Sequence, residues 1–314
     1  MGTHIEAVSA LTGSGHRKTT ARWLADTAVR NCLTQAGRTP EDIGILINTG
    51  IYREDSMGEP ALAALIQEDV GANLGHPPDG GRGTFSFDLL NGTCGVLTAI
   101  ELESGWLSSG AIQVGAVVTS DVADGRDATG IRAAGGAMLL GWEDGPGGFT
   151  DFHTETFPEY AELFSSGLVW HKQQDFRFPR RAAGRHQMVI DSRPGYLERL
   201  ADCAEETTRR FLHRLGLSMD EIDLLVPEPP APEFTDTLRM RLGVPGDRVA
   251  YTPEDLDGAY TAGPIAALQA AVRSGRLGEA RHTLMIAAGA GITVALALYR
   301  QITPPGQAAD HVRG

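Results

Sequence analysis

Apolar positions along this chain switch between helical and strand spacing. His4 to Ala10 reads as a short first strand, and Thr19 to Ala36 as an amphipathic helix with Trp23, Leu24, Ala28 and Leu33 on its apolar face. Thr39-Pro40-Glu41-Asp42 then turns into the strand Ile43 to Asn48. The stretch Thr84 to Asp121, TFSFDLLNGTCGVLTAIELESGWLSSGAIQVGAVVTSD, organises the rest. Thr84 to Leu90, with Phe85 and Phe87 alternating, predicts a buried strand; Asn91 and Gly92 break it, and Thr93 can cap the next helix. Val96, Leu97, Ile100 and Leu107 carry that helix from Cys94 to about Ser109, and Gln113 to Thr119 is the next strand.

The same order recurs later. Tyr196 to Pro227 runs helix, polar turn, strand, and the Leu-Ala-Asp at Leu24 to Asp26 returns at Leu200 to Asp202. GWLSSGAIQVGAVVTSD resembles AVRSGRLGEARHTLMIAAGAG, and each is followed by a closing apolar strand, Gly136 to Gly141 and Ile292 to Tyr299. Two such units in one order predict an internal duplication, each half an α/β layer with a mixed sheet. Residues 1–150 form the first half, 151–193 a bridging excursion without regular pattern, 194–303 the second half and 304–314 a disordered tail. An apolar helix at Ala61 to Val70 is separated from the Cys94 strand by the insertion His76 to Gly83.

Composition narrows the function classes. The 314 residues carry 27 Lys+Arg against 40 Asp+Glu, a net charge of −13, which argues against phosphate tracking on nucleic acid and against anionic membranes. No apolar run is long enough to span a bilayer, and the first residues lack a signal-peptide pattern. Cys32, Cys94 and Cys203 are too far apart for a zinc site and odd in number, so a reducing cytoplasm is the expected compartment, with no metal or resident cofactor.

Cys94 is the first candidate for chemistry. At a strand-to-helix turn, unpaired backbone N–H groups and the helix dipole lower a thiol's pKa, and the thiolate is the nucleophile. The alternative is a small buried residue packed as a hydrophobe. Gly13-Ser14-Gly15 lacks the Lys-Ser/Thr of a phosphate loop, and Val96 stands where a hydrolase nucleophile elbow needs glycine. Among the nine histidines, His153, His171, His186 and His213 are available in principle, but nothing in the pattern selects one.

These segments together resemble the thiolase superfamily, and in particular the β-ketoacyl-acyl-carrier-protein synthase III group. The resemblance rests on FDLLNGTCGVLTAIEL, RAAGGAMLLGW, IDLLVPEPPAPEF, LDGAYTAGPIAAL and AAGAGITVALALYR, in that order. It implies a five-layer αβαβα α/β fold built from two duplicated halves, and a homodimer, with a heterodimer as the alternative. Cys94 would take an acyl group from a thioester as a covalent intermediate. The donor would be coenzyme A or an acyl carrier protein, which is thus a candidate partner. The Cys94 N–H and one from the Gly289-Ala290-Gly291 loop would form the oxyanion hole.

The departures shape the expected reaction. Glu228 stands where the group has a catalytic His, and Ala259 or Tyr260 where it has an Asn, with Thr261 beside them in the pocket. A carboxylate at 228 would repel a developing enolate, so the expected enzyme is an acyltransferase that hands its acyl group to an acceptor without malonyl decarboxylation. The short link Leu11 to Lys18 lacks the aromatic with which the group stacks on coenzyme A. Glu59, before Pro60, stands where the group reaches into a partner's pocket, and where head-to-head acyl-condensing relatives place a Glu as base. Proton transfer would fall to Glu228, or to Glu59 from a neighbouring subunit, though each keeps a plainer reading, Glu59 as an acid at a helix start with Pro60 at its first position and Glu228 as a loop carboxylate. Two rival functions remain: condensation of two acyl thioesters with Glu59 as base, and a degenerate subunit supporting an active ketosynthase.

Overall fold

Strand alternation sorts the chain into layers. The computed structural model describes residues 2–13, 19–53, 59–75, 83–122, 131–173, 183–228, 232–289 and 291–301. The first half comprises β1 (Gly2–Thr12), α1 (Ala21–Ala36), β2 (Ile43–Asn48), α2 (Leu62–Val70), β3 (Phe85–Asp88), α3 (Gly95–Ser108), β4 (Val114–Asp121) and β5 (Ala134–Glu143). The second comprises β6 (Gly148–Thr156), the hairpin β7 (Phe164–Gln173) and β8 (Ala183–Ser192), α4 (Tyr196–Arg214), β9 (Leu224–Glu228), α5 (Pro232–Leu242), α6 (Gly263–Arg273), α7 (Arg276–Glu279), β10 (His282–Gly289) and β11 (Thr293–Arg300).

The main sheet runs β3-β2-β4-β5-β1-β6-β11-β10-β9. Its order is a mirror: β2-β4-β5-β1 is answered by β9-β10-β11-β6, with the same parallel and antiparallel pairings, and the halves meet where Thr3 pairs with Phe149. A lone parallel bridge from Leu225 to Val249 holds the place that β3 holds in the first half. Even the small turns repeat, for Thr39 with Asp42 and Ser218 with Glu221 form equivalent capping boxes.

Alternate residues of each central strand face different helices. In β4, Val117 joins α3 in the inner core, while Val114, Ala116 and Val118 meet α1 and α2 outside. In β10, Met285 and Ala287 point inward to α3 and α6, while Leu284 and Ile286 meet α4 and α5. The helices α3 and α6 are therefore the middle layer between two halves of one folded sheet, which is the five-layer αβαβα arrangement.

Three expectations need correction. The first strand is longer than expected, reaching Thr12, because its pairing with β5 continues beyond the apolar residues. β3 is not buried: it is the sheet edge, with Phe85 59% and Leu90 65% exposed. Residues 151–156, expected in the irregular excursion, instead complete the main-sheet strand β6 that begins at Gly148. Their alternation is hidden because the outward positions are polar and paired: Asp151 faces Arg300 at 3.7 Å, and Glu155 bonds Arg210 and Thr207. The remainder of that stretch is mostly the separate β7–β8 hairpin. The tail 304–314, residues 14–18 of the first connection and residues 76–82 of the insertion lie outside the described residues.

One core residue breaks the apolar rule. Glu103 of α3 is fully buried beneath β4, neither carboxyl oxygen has a well-formed hydrogen bond among the described residues, and only glycine fits opposite: a Cβ on Gly115 would come within 2.2 Å of Oε2. Burial pushes its pKa well above the carboxylate range, offset only by the Ala116 amide. The folded chain thus holds a proton that the unfolded chain releases above about pH 4.5, so this group lowers stability progressively as pH rises past that value. Glu103→Met is expected to stabilise the protein by about 1–3 kcal/mol at pH 8 and by much less at pH 4.5. Urea unfolding at the two pH values checks it; an equal gain at both would assign the effect to packing alone.

Candidate active site

Cys94 closes a short 3-10 turn, Gly92–Cys94, between β3 and α3. Gly92 takes φ +53, a left-handed conformation that frees the chain to turn sharply into the helix. The Thr93 hydroxyl donates to the Ala288 carbonyl at 2.7 Å, tying this turn to the end of β10 in the other half. That tie explains Gly289: a Cβ there would lie 2.2 Å from Thr93 Oγ1. Beyond it Gly291 (φ +68) and Ile292 (φ +42) reverse the chain, so the Thr293 carbonyl returns to within 3.5 Å of Cys94 Sγ. Ala290 lies outside the described residues.

Two expectations about Cys94 change. The thiol is only 1% exposed, and burial pushes its pKa up to about 12, with the Glu228 carboxyl adding to the rise. Desolvation at this depth outweighs the helix terminus that was expected to lower it. The Cys94 N–H, expected in the oxyanion hole, donates instead to the Asn91 carbonyl at 3.0 Å.

Glu228 ends β9, is 2% exposed, and has no hydrogen-bond partner on either oxygen among the described residues. Asp121 ends β4 and is fully buried, yet well satisfied. Its Oδ1 accepts from the Ile51 and Tyr52 amides at 2.9 and 2.8 Å, and its Oδ2 from the Thr261 amide at 3.1 Å and the Thr261 hydroxyl. Burial raises the pKa of both acids, but the four donors hold Asp121 down, whereas Glu228 is driven well above the carboxylate range by burial and by the Asp121 charge. The charge therefore sits on Asp121 and the proton on Glu228. A buried neutral carboxyl donates a hydrogen bond rather than opposing negative charge, which argues against the expected repulsion of an enolate.

The turn Tyr260–Ala262 ahead of α6 is the counterpart of the Cys94 turn, with Ala259 in the place of Asn91. Its Thr261 bonds Asp121 and Thr119 of β4, as Thr93 bonds Ala288 of β10. Each turn is thus fastened by a strand of the opposite half. Ala259 is 2% exposed and brings only a methyl group. Tyr260 sits at φ +25 with its ring edge-on to Tyr52, centroids 5.6 Å apart. Tyr196, the first residue of α4, is 5% exposed beside Cys94, its phenol pushed above its usual range by burial and by the thiol.

Of the residues singled out in sequence, Cys94, Glu228, Tyr260, Thr261 and Gly289 are brought together, with Gly291 shaping the adjoining reversal. Glu59 is not: it is exposed ahead of α2 within this chain. Nor does it start that helix with Pro60 at its first position, since α2 begins at Leu62, where the Asp88 carboxylate receives the Leu62 and Ala63 amides at 2.8 Å each. His153 stacks on Phe211 away from the thiol, while the His171 and His186 side chains lie outside the described residues. Among the described residues no His/Cys/Asp/Glu group could hold a metal, and no helix is long and apolar enough to cross a membrane. Asp121 and Tyr196 were missed in sequence. Asp121 carried a signal only as the acid closing the strand that comes after the Cys94 helix.

Residues 212–301 match the family of 3-oxoacyl-[acyl-carrier-protein] synthase III C-terminal segments. The β-ketoacyl-[acyl-carrier-protein] synthase III of Sphingopyxis alaskensis is 29% identical over 299 residues, covering 90% of this chain and 84% of that protein. That of Rhizobium meliloti is 27% identical over 309 residues, covering 91% and 86%. The Thermus thermophilus synthase III structure superposes with a TM-score of 0.75 at 21% identity, covering 96% of this chain and all of that one. A variant of OleA from Xanthomonas campestris superposes with a TM-score of 0.74 at 16% identity, covering 95% and 98%.

Proposed function

We propose that this chain, a β-ketoacyl-acyl-carrier-protein synthase III-like protein of the thiolase superfamily, is an acyltransferase that carries its acyl group on Cys94. The observation that carries the reading is the convergence of a buried thiol at the head of α3 with a buried carboxyl, Glu228 at the end of β9, near enough to raise the thiol's pKa. Burial and the neighbouring Glu228 carboxyl push the Cys94 thiol up, which disfavours a preformed thiolate as the working nucleophile. A neutral carboxyl can relay instead. As Sγ bonds the thioester carbonyl carbon, one Glu228 oxygen takes the thiol proton, and the proton of the other oxygen passes to the departing sulfur as its bond to the acyl carbon breaks. The carboxyl ends as it began. An alcohol, amine or second acyl chain then reverses the sequence, giving its proton to Glu228 while Cys94 recovers one.

Transfer without malonyl decarboxylation remains the favoured outcome because neither Ala259 nor Tyr260 brings a carboxamide to the place of the group's Asn. Condensation of two acyl chains is a second reading, supported by the exposure of Glu59, which leaves it available to a second copy of the chain. The donor thioester in either case is coenzyme A or an acyl carrier protein, in a reducing compartment that keeps the three buried cysteines free.

Intact-protein mass after mixing with acetyl, hexanoyl and dodecanoyl thioesters of coenzyme A and of a carrier protein tests the reading. An acyl-sized gain that disappears in Cys94→Ala is the expected result. A folded protein that gains no mass from any donor would leave only the supporting-subunit role.

A further inference from the structure

Thr93 immediately precedes the nucleophile, is 1% exposed, and takes no part in the proton relay. Its hydroxyl donates to the Ala288 carbonyl at 2.7 Å, across 195 positions of chain and into the other half of the fold. Strand register carries that contact on to the carboxyl. Ala287, one residue before Ala288 on β10, pairs in parallel with Glu228 at the end of β9. Thr93 and Cys94 share one 3-10 turn, so a single hydrogen bond links the residue bearing the thiol to the strand beside Glu228. The approach is close enough to dictate a second residue. Gly289 lies outside the left-handed region, yet a Cβ there would come within 2.2 Å of Thr93 Oγ1, so the hydroxyl rather than the backbone requires glycine. Other bonds of the turn do different work. The Thr98 hydroxyl donates to the Cys94 carbonyl at 2.8 Å, and Asn91 Nδ2 to that hydroxyl at 3.2 Å; both stay within the first half and fix the shape of the turn. The Cys94 thiol reaches the Thr293 carbonyl at 3.5 Å, a contact that breaks when the sulfur gives up its proton. The Thr93 bond persists through that step.

The structure assigns Thr93 as a positioning residue: its hydroxyl, anchored on the Ala288 carbonyl, sets the separation of the Cys94 thiol from the Glu228 carboxyl across the two halves. This rests on the acyl-enzyme reading with Glu228 as relay, and adds the residue that aligns the pair. Thr93 itself transfers no proton. Proton transfer between groups held by different halves depends on their separation, and a misplacement of about 1 Å can cost about 10²-fold in rate.

Thr93→Val keeps the shape of the side chain and removes the hydroxyl, whereas Thr93→Ser keeps the hydroxyl. Acylation of Cys94 by hexanoyl coenzyme A is timed by intact-protein mass on the full-length chain, with each substitution placed in the wild-type and in the Glu228→Gln background. Thr93→Val is expected to slow acylation about 10–100-fold in the first background and by less than about threefold in the second, because a misplaced thiol loses only what the carboxyl supplied. Thr93→Ser is expected to stay within about threefold of wild type. Gly289→Ala crowds the same hydroxyl and should repeat the Thr93→Val pattern; it carries the test if Thr93→Val does not fold. An equal fall in both backgrounds overturns the assignment and marks Thr93 as structural, and a Thr93→Val chain that acylates like wild type overturns it too. A folded wild type that accepts no acyl group overturns the acyl-enzyme reading and the assignment with it. A Glu228→Gln chain acylating at the full rate removes the relay, and the assignment falls with the relay while the acyl-enzyme stands.

Discussion

Glu228→Gln should slow acylation of Cys94 by about 10²–10⁴-fold while making the folded chain more resistant to urea. The two effects have opposite signs because they arise from the same buried proton. Glutamine matches the size and can still donate a hydrogen bond, but it cannot take a proton on one atom and release another. Stability moves the other way because Glu228 has a pKa well above its unfolded value, so its contribution declines as pH rises past about 4.5. Removing the carboxyl removes that decline. In the wild-type chain, acylation should hold steady through neutral pH and fall on the alkaline side as the relay loses its proton. Acylation by mass spectrometry and urea unfolding, each from pH 5 to 9, read both effects. A variant acylating within about threefold of wild type would remove Glu228 from the chemistry.

Asp121→Ala is expected to destabilise the protein by about 3–5 kcal/mol, since each buried donor left without its acceptor costs about 1–3 kcal/mol and several are stranded together. Three amides (Ile51, Tyr52 and Thr261) and the Thr261 hydroxyl would lose their acceptor together. Two of those donors hold the Tyr260 turn, so the loss should also slow acylation beyond what reduced stability explains. Removing the Asp121 charge lowers the Glu228 pKa, which shifts the alkaline fall in rate to lower pH. Thermal unfolding with the pH–rate profile separates these contributions. A loss below about 1 kcal/mol would mean that water satisfies the stranded donors.

Local pattern made much of this fold readable. The break at Asn91-Gly92 and the spacing of Val96, Leu97, Ile100 and Leu107 place Cys94 at a helix head, where it stands. The repeated Leu-Ala-Asp helices and closing strands disclose the mirrored sheet order. What escaped depends on partners far away in the chain. The thiol's high pKa comes from burial together with Glu228, 134 positions later. Thr261 meets Asp121 across 140 positions, so no window around either residue exposes the bond. β6 was hidden for a different reason, since its polar alternate residues are satisfied by arginines from β11 and α4 and read locally as loop.

The reciprocal fastening of the two turns has a consequence for how the protein can be divided. Thr93 is secured by a strand of the second half and Thr261 by a strand of the first, so each fragment of a chain severed at 144–147 would carry a loose turn. The nucleophile would reside on one piece and the proton relay on the other. Under the proposed chemistry, neither fragment alone is expected to form the acyl-enzyme. The same interlock restricts how far either copy of the ancestral duplication can drift, since each holds the anchor for its sibling's working turn.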